Sequence, residues 1–179
     1  MYFMKFSIAV ILLTVCFSGS GFGESRDFQY RIKVRIEPVL HRLEAEIWIK
    51  NPPASRFYLQ PKFAIRQVDA DGKAAAFHQD TSPDSSMFRY AGLRYGVDAG
   101  DIRELHMKYG GEIPEAINEV NMISPNLVEL ALYSAWYPLY DGMRDYTFEL
   151  EIDLPDGLLL TTNGIMQKKW RQGDRSLSL

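Results

Sequence analysis

The segment of residues 145–154 alternates strictly between apolar and polar side chains. Its even-numbered positions are all apolar, and its odd-numbered positions carry acidic residues and one threonine. A period of two predicts a β-strand with one buried face and one wet face. The turn residues Pro155-Asp156-Gly157, a short apolar run and a second turn at Asn163-Gly164 follow the strand, so we predict a β-hairpin unit here.

Similar strand patterns recur along the rest of the chain. They cover residues 28–36, 43–49, 56–59, 63–69, 87–95 and 102–109, and Gly110-Gly111 is expected to end the last of them. The stretch 112–120 is the main helical candidate. About ten short strands with turn residues between them are typical of an antiparallel β-sandwich or an open, saddle-like barrel. We therefore predict an all-β fold.

The first 23 residues are typical of a secretory signal peptide. Lys5 precedes an apolar run that ends at Phe17, and small residues then lead to a predicted cleavage site at Gly21-Phe22-Gly23. The run is shorter than the ~20 residues of a spanning helix, so an uncleaved anchor is the lesser alternative. A lipid anchor at Cys16 is a second alternative. We expect an exported protein that is periplasmic, at the cell surface or secreted.

Composition places residues 24–179 in one globular β-sandwich domain. The chain has 179 residues, a hydrophobic content of 46% and a formal net charge of -3. No run of lysine or arginine stands out, which argues against nucleic-acid binding. Cys16 is the only cysteine, so the mature chain is expected to form no disulfide and to use no thiol chemistry.

Metal ligands and acid–base pairs do not emerge from the sequence. Zinc hydrolases carry histidines at ligand spacing beside a glutamate, and that motif is absent from these residues. The carboxylate pairs Glu44/Glu46 and Glu149/Glu151 each share one strand face, which alternation with solvent explains. The three histidines are interpreted as polar strand residues: His41, His78 and His106.

The tryptophans leave two interpretations open. Large aromatic side chains fill the core and corners of a β-sandwich, but they also line sugar-binding faces. The residues in question are Trp48, Trp136 and Trp170. A free-standing secreted module that binds a carbohydrate or a protein partner, without a reaction of its own, is therefore the alternative function.

Four segments in this order resemble the amino-terminal β-domain of the aminopeptidase N family of zinc metallopeptidases, the gluzincins that include leukotriene hydrolase. In that family the domain begins with strands similar to residues 30–38 and 43–49. A strand similar to residues 108–113 follows. Residues 129–164 look like the family's aromatic-Pro corner, alternating strand, Pro-x-Gly turn and Asn-Gly.

The resemblance implies a function for the whole protein and a role for one residue. It implies that this chain is a truncated, non-catalytic domain that forms one wall of the substrate cleft. A catalytic domain that holds the zinc is expected to follow it. In the family, a glutamate or glutamine nine residues before the corner proline helps to bind the free amino end of the peptide. That position is Glu129, nine residues before Pro138. The alternative is that Glu129 is an outward strand residue that faces water.

These considerations lead to one expected function and its consequences. The chain alone should hold no cofactor and have no peptidase activity, whereas its parent protein is expected to be a zinc aminopeptidase. The expected partners are the downstream catalytic domain and the amino terminus of a peptide substrate. Apart from the signal peptide or the possible anchor at Cys16, no membrane contact is expected.

Overall fold

Strands account for most of the secondary structure, as the alternating sequence predicts. The computed structural model describes residues 9–13, 28–113, 122–131, 134–143, 146–162 and 164–179, the first range as backbone only. Among these residues no helix has the length and apolar character needed to cross a membrane. In chain order the strands are β1 (Ala9–Leu13), β2 (Gln29–Glu37), β3 (Arg42–Lys50), β4 (Arg56–Leu59), β5 (Phe63–Ala70), β6 (Lys73–Ala74), β7 (Phe77–Gln79), β8 (Leu93–Val97), β9 (Glu104–Glu112), β10 (Met122–Ile123), β11 (Leu127–Leu130), β12 (Thr147–Pro155), β13 (Leu158–Thr162), β14 (Lys169–Gln172) and β15 (Arg175–Ser178).

The largest sheet has eight strands in the order β14-β15-β12-β2-β3-β9-β5-β6. Neighbouring strands are antiparallel except β12 and β2, which run parallel with Thr147 opposite Gln29 and Asp153 opposite Arg35. The sheet is therefore mixed, and it does not close into a barrel. The all-β prediction is confirmed.

Alternating burial in β2 and β3 follows the predicted pattern. Every second residue of both strands is buried, from Tyr30 to Ile36 and from Leu43 to Ile49. Strand β9 continues through Gly110 and Gly111, so the predicted strand end at these glycines is wrong. A Cβ atom at Gly111 would meet the carbonyl oxygen of Lys62, which shows that the glycine allows two backbones to approach closely.

The predicted hairpin of residues 145–164 is wrong in its pairing. Strand β12 forms as predicted and buries Ile152 and Leu154, and Gly157 takes the turn with φ 93°. However, β2 and β15 occupy the two edges of β12, so β13 enters a different sheet. Asn163 lies outside the described residues.

A second sheet has four strands in the order β10-β11-β1-β13. Strand β1 falls inside the predicted signal peptide and runs parallel to both of its neighbours. Cys16 and most of the candidate helix of residues 112–120 lie outside the described residues. Export and cleavage remain predictions.

The third sheet has three strands in the order β4-β8-β7. The strand predicted over residues 87–95 is wrong in its first half, where Met87–Tyr90 forms a 3-10 helix. The hydroxyl of Ser86 accepts a hydrogen bond from the backbone N of Phe88 at 3.0 Å. This cap favours helical over extended backbone at the start of the segment.

Candidate functional site: the Glu129 strand and the aromatic corner

The aromatic corner, residues 134–143, passes through the centre of the core. Ala135, at φ 47°, and Pro138 shape its bend. Its large side chains are fully buried: Trp136, Tyr137, Leu139 and Tyr140. The corner therefore fills the fold and presents no open ring to a ligand.

Backbone hydrogen bonds hold the corner against β4. The amide of Tyr58 donates to the carbonyl of Leu139 at 2.8 Å, and the amide of Leu139 donates back at 3.0 Å. The amide of Gln60 donates to the carbonyl of Ala135 at 3.0 Å. Because buried peptide groups need such partners, these bonds fix the path of the irregular segment.

Two tyrosine hydroxyls from the large sheet also bind the corner. Tyr30 donates to the carbonyl of Pro138 at 2.6 Å, and Tyr109 donates to the carbonyl of Trp136 at 3.1 Å. Burial raises the pKa of Tyr30 well above its ordinary value. Both hydroxyls therefore act as permanent donors.

The tryptophans do not form a common face. Trp136 is buried, whereas Trp48 on β3 lies between the guanidinium of Arg31, 5.5 Å from its ring centre, and the stacked imidazole of His106 at 5.0 Å. Trp170 lies on β14, four strand positions from β3, or roughly 19 Å. This arrangement gives no support to a sugar-binding face made by all three.

Glu129 projects from β11 as the alternating pattern predicts. Its neighbours Val128 and Leu130 are buried, whereas Glu129 is half-buried. In the sheet it lies opposite Met122 of β10 and Leu12 of β1. The corner begins a few residues later, so the buried aromatic rings anchor the chain just after this strand.

The carboxylate of Glu129 has no hydrogen bond and no ion pair within the described part of the chain. The carboxylates of the large sheet differ in this respect. Glu149 lies 3.1 Å from Arg31, and Glu151 lies 3.4 Å from Lys33. A half-buried carboxylate without a cation nearby can bind an ammonium group.

The other carboxylate pair singled out in the sequence is also structural. The guanidinium of Arg66 binds Glu44 and, by this hydrogen bond, lowers the pKa of that carboxyl. Glu46 accepts from His106 at 2.9 Å. The paired carboxylates thus contact cationic or polar groups on neighbouring strands, which agrees with a solvated, stabilising face.

The histidines lie apart, as the sequence suggests, but the prediction that all three are strand residues is wrong for His41, which ends the 3-10 helix Pro38–Leu40 with φ 52°. The Nδ1 atom of His41 is 2.5 Å from the carbonyl of Ile123, and His78 pairs with Asp98 at 3.0 Å. The imidazole of His106 separates Glu46 from Asp69, each bound to a different ring nitrogen. Over the described residues, no group of three or more His, Cys, Asp or Glu side chains could hold a metal ion.

Sequence reasoning missed a polar cluster that attaches the loop of residues 80–86 to β4 and β8. Tyr58 donates to Asp84 at 2.6 Å, and Arg94 lies 3.2 Å from Asp80. Hydrogen bonds from the side chain and backbone of Ser82, with the nearby arginines, lower the pKa of Asp80 to about 2. The acids in the loop-like sequence 80–86 were the available signal, but their partners come from distant strands.

An apolar groove of about 390 Å³ runs beside β12 and β13. Its walls include Phe148, Leu150 and Leu160, and the neighbouring Ile165 is 85% exposed. Glu129 does not line this groove. The groove is an apolar surface that another part of a larger protein could cover.

Comparisons with known proteins give fold-level matches. No protein-family model matches the sequence, and no curated protein matches it significantly. An M1 zinc metallopeptidase from Deinococcus radiodurans matches with a TM-score of 0.61 at 14% identity, covering 85% of this chain and 38% of that chain. A two-domain M1 zinc metallopeptidase bound to L-arginine has a TM-score of 0.63 at 13% identity, with coverages of 85% and 38%. A variant of the Deinococcus enzyme bound to a Tyr-Ser-Ala substrate has a TM-score of 0.59 at 13% identity, covering 86% and 37%.

Each match covers most of this chain but less than half of the matched enzyme. Nearly the whole of this chain is matched, but it spans only 38% of the length of the Deinococcus enzyme. The resemblance inferred from the sequence is confirmed at the level of fold. This chain shares the fold of part of the M1 zinc metallopeptidases.

Proposed function

We propose that this chain is the amino-terminal β-domain of an exported, aminopeptidase N-like zinc metallopeptidase. The unequal coverage, 85% of this chain against 38% of the matched enzyme, is the observation that supports it. The remaining length of such an enzyme would carry the catalytic domain. The whole protein would act outside the cytoplasm, in the periplasm, at the cell surface or in the medium.

Zinc belongs to the downstream domain in this proposal. The described residues offer no cluster of metal ligands, so they do not fit a zinc ion. Peptide hydrolysis in this family of folds needs a metal to activate water and polarise the carbonyl. We therefore expect the 179-residue chain to have no peptidase activity of its own.

Glu129 is the residue that we propose contacts the substrate. Its carboxylate is half-buried between the apolar neighbours Val128 and Leu130 and is unpaired within the described residues. A peptide's free amino end is an ammonium ion, and a charge-assisted hydrogen bond in a partly desolvated cleft favours it over a neutral group. The domain would thus hold the amino end while the downstream domain performs the cleavage.

The test begins with the coding DNA beyond Leu179. If the frame continues into an HExxH motif, the longer protein is expressed and its cleavage of aminoacyl anilides is measured. We expect Glu129→Ala to lower kcat/KM about tenfold or more with the zinc content unchanged, because a charged hydrogen bond contributes about 1.5–3 kcal/mol. Glu104→Ala, at an exposed carboxylate of β9, is the control and should leave kcat/KM unchanged.

Two outcomes would contradict different parts of the proposal. Unchanged kinetics for Glu129→Ala would remove Glu129 from the amine site but leave the domain assignment intact. A stop codon directly after Leu179 would overturn the domain assignment. The free-standing binding module would then be the better hypothesis, with the apolar groove beside β12 and β13 as its surface, since the aromatic corner is buried.

A further inference from the structure

Strand β15 runs towards the apolar groove beside β12 and β13. It pairs with β12 in the antiparallel direction, and the pairing ends with Ser178 opposite Ile152. The next residue, Leu179, exchanges two backbone hydrogen bonds with Lys168, at 2.9 and 3.1 Å. Leu179 also lines the groove. The direction of β15 therefore leads into the groove.

The edge of β12 beyond this pairing is free. Strand β2 occupies the opposite edge from Thr147 to Asp153. On the side of β15, no strand in the described part of the chain pairs with Thr147–Glu151. A free strand edge presents N–H and C=O groups that can pair with another strand. The groove thus contains an unpaired edge that continues the edge bound by β15.

The burial of β12 changes at the same point. Residues two positions apart on a strand share a face. Ile152 and Leu154, which lie opposite residues of β15, are 1% and 2% exposed. Phe148 and Leu150 on the same face are only half-buried, and both line the groove. The inner face of β12 is therefore fully covered only alongside β15.

The segment of residues 164–167 lines the groove on the side of β14. It precedes Lys168, the partner of Leu179, and the amide of Gln167 donates to the carbonyl of Leu179 at 2.7 Å. Ile165 in this segment is 85% exposed. The groove consequently has a free strand edge on one side, an exposed apolar segment on the other and the last residue of β15's path at its end.

We propose that this groove holds the extended segment that directly follows Leu179 in the longer protein, as an antiparallel continuation of β15 along β12. The inference rests on the proposed function, because it requires a longer protein. The register follows from the pairing of β15: the residues one and three places after Leu179 lie opposite Leu150 and Phe148. The residue two places after Leu179 lies opposite Glu149. Main-chain hydrogen bonds then complete the edge of β12.

The register predicts an alternating sequence after Leu179. The first and third residues face into the groove with Leu150 and Phe148, so both should be apolar. The second residue lies beside exposed Glu149 and should be polar. The coding DNA beyond Leu179 tests this pattern, and a charged residue at the first or third place would overturn the continuation.

Disulfide cross-linking in the leader-free longer protein tests the register itself. Glu149→Cys is combined with a change to cysteine of the residue two places after Leu179. The Cα atoms of directly opposite residues lie about 4.5–5.5 Å apart, within the reach of a disulfide. Glu151→Cys with the same downstream change is the matched control, because that pair is diagonal, at roughly 7–8 Å.

We expect the Glu149 pair to form its disulfide about tenfold faster or more than the Glu151 pair, since cysteines whose Cα atoms are farther apart require a backbone shift. Oxidised glutathione is the oxidant, and mass spectrometry of the joined peptides measures the rate. Equal rates would overturn the continuation, as would a disulfide that joins two copies of the protein. If Glu149→Cys does not fold, Thr147→Cys paired with the residue four places after Leu179 tests the same register.

The outcomes separate this inference from the proposed function. Failure of the Glu149 and Thr147 pairs to cross-link in an active aminopeptidase would overturn the continuation alone. A register-specific cross-link in a longer protein without aminopeptidase activity would overturn the proposed function alone. A stop codon directly after Leu179 would overturn both.

Discussion

The eight-stranded sheet and the four-stranded sheet are built in different ways. In the large sheet, β2 and β3 are joined by the short 3-10 helix Pro38–Leu40 and pair over the full length of both strands, from Gln29 opposite Lys50 to Glu37 opposite Arg42. In the small sheet, β10 and β11 pair only at Met122 and Ile123, opposite Glu129 and Val128, and the central strand comes from more than 100 residues away.

The two sheets therefore differ in how far apart in the sequence their paired central strands lie. Long antiparallel pairs between sequence neighbours form at low entropic cost. The short strands of the small sheet depend on a partner brought from elsewhere. Glu129, the proposed substrate contact, lies on β11 of this small sheet.

The largest expected effect comes from truncating matched isoleucines in the two sheets. Ile47 of β3 and Ile123 of β10 are both fully buried. We expect Ile47→Ala to lower the free energy of unfolding by about 2–5 kcal/mol. Ile123→Ala should fall near or below the low end of that range, because a short, dependent strand can relax around the cavity. Urea titrations of both variants measure the two values.

Equal losses of unfolding free energy in the two isoleucine variants would contradict the proposed difference between the sheets. They would show that the small sheet is as rigid as the large one and unfolds with it. Amide exchange can sharpen the result, because a local effect of Ile123→Ala should be confined to residues 122–131.

A smaller effect is expected where backbones approach closely within the large sheet. A Cβ at Gly111 would meet the carbonyl oxygen of Lys62, whereas a Cβ at Gly100 would have no neighbour within 4 Å. We expect Gly111→Ala to cost about 1–3 kcal/mol of unfolding free energy through overpacking. Gly100→Ala should stay within about 0.5 kcal/mol of the wild type. Similar midpoints of thermal unfolding for both variants would contradict the close approach.

The smallest expected effect is a loss of stability at low pH caused by Asp80, whose carboxylate lies 3.2 Å from Arg94 of the three-stranded sheet. Asp80 has a pKa lowered from 3.8 to about 2, chiefly by hydrogen bonds from Ser82. A lowered carboxyl pKa stabilises the fold above the ordinary value, and the contribution disappears as the pH falls from about 4 to about 2. Asp80→Asn should therefore be less stable than the wild type near neutral pH.

The difference between Asp80→Asn and the wild type should vanish at low pH. Urea midpoints at several pH values between about 6 and 2 measure it. Asp101→Asn serves as the control, since exposed Asp101 forms no ion pair within the described residues. A difference for Asp80→Asn that stays constant with pH would contradict the assignment.

The periodic parts of the fold could be predicted from the sequence. Alternation placed β2, β3 and β12 correctly because a half-buried strand must place every second side chain inside. It also placed Glu129 on the outward side of β11. These features depend on local pattern alone.

Pairing between distant segments could not be predicted. The local sequence does not show that β12 pairs in parallel with β2 or that β13 belongs to another sheet. Both pairings depend on which strand edges are free in the assembled fold. The two interpretations of Trp136 stayed open for the same reason. Trp136 is buried, and its carbonyl accepts a hydrogen bond from Tyr109 of β9, a distant residue that only the assembled core brings next to it.

The three tryptophan environments also give the protein an optical signature. Trp136 is enclosed in the core, so its emission should lie at short wavelength and shift to the red when the core opens. Trp48 is stacked between Arg31 and His106, and Trp170 lies 5.2 Å from the ammonium of Lys168. The red shift of the buried component therefore provides an intrinsic fluorescence readout of core unfolding, without an added dye or label.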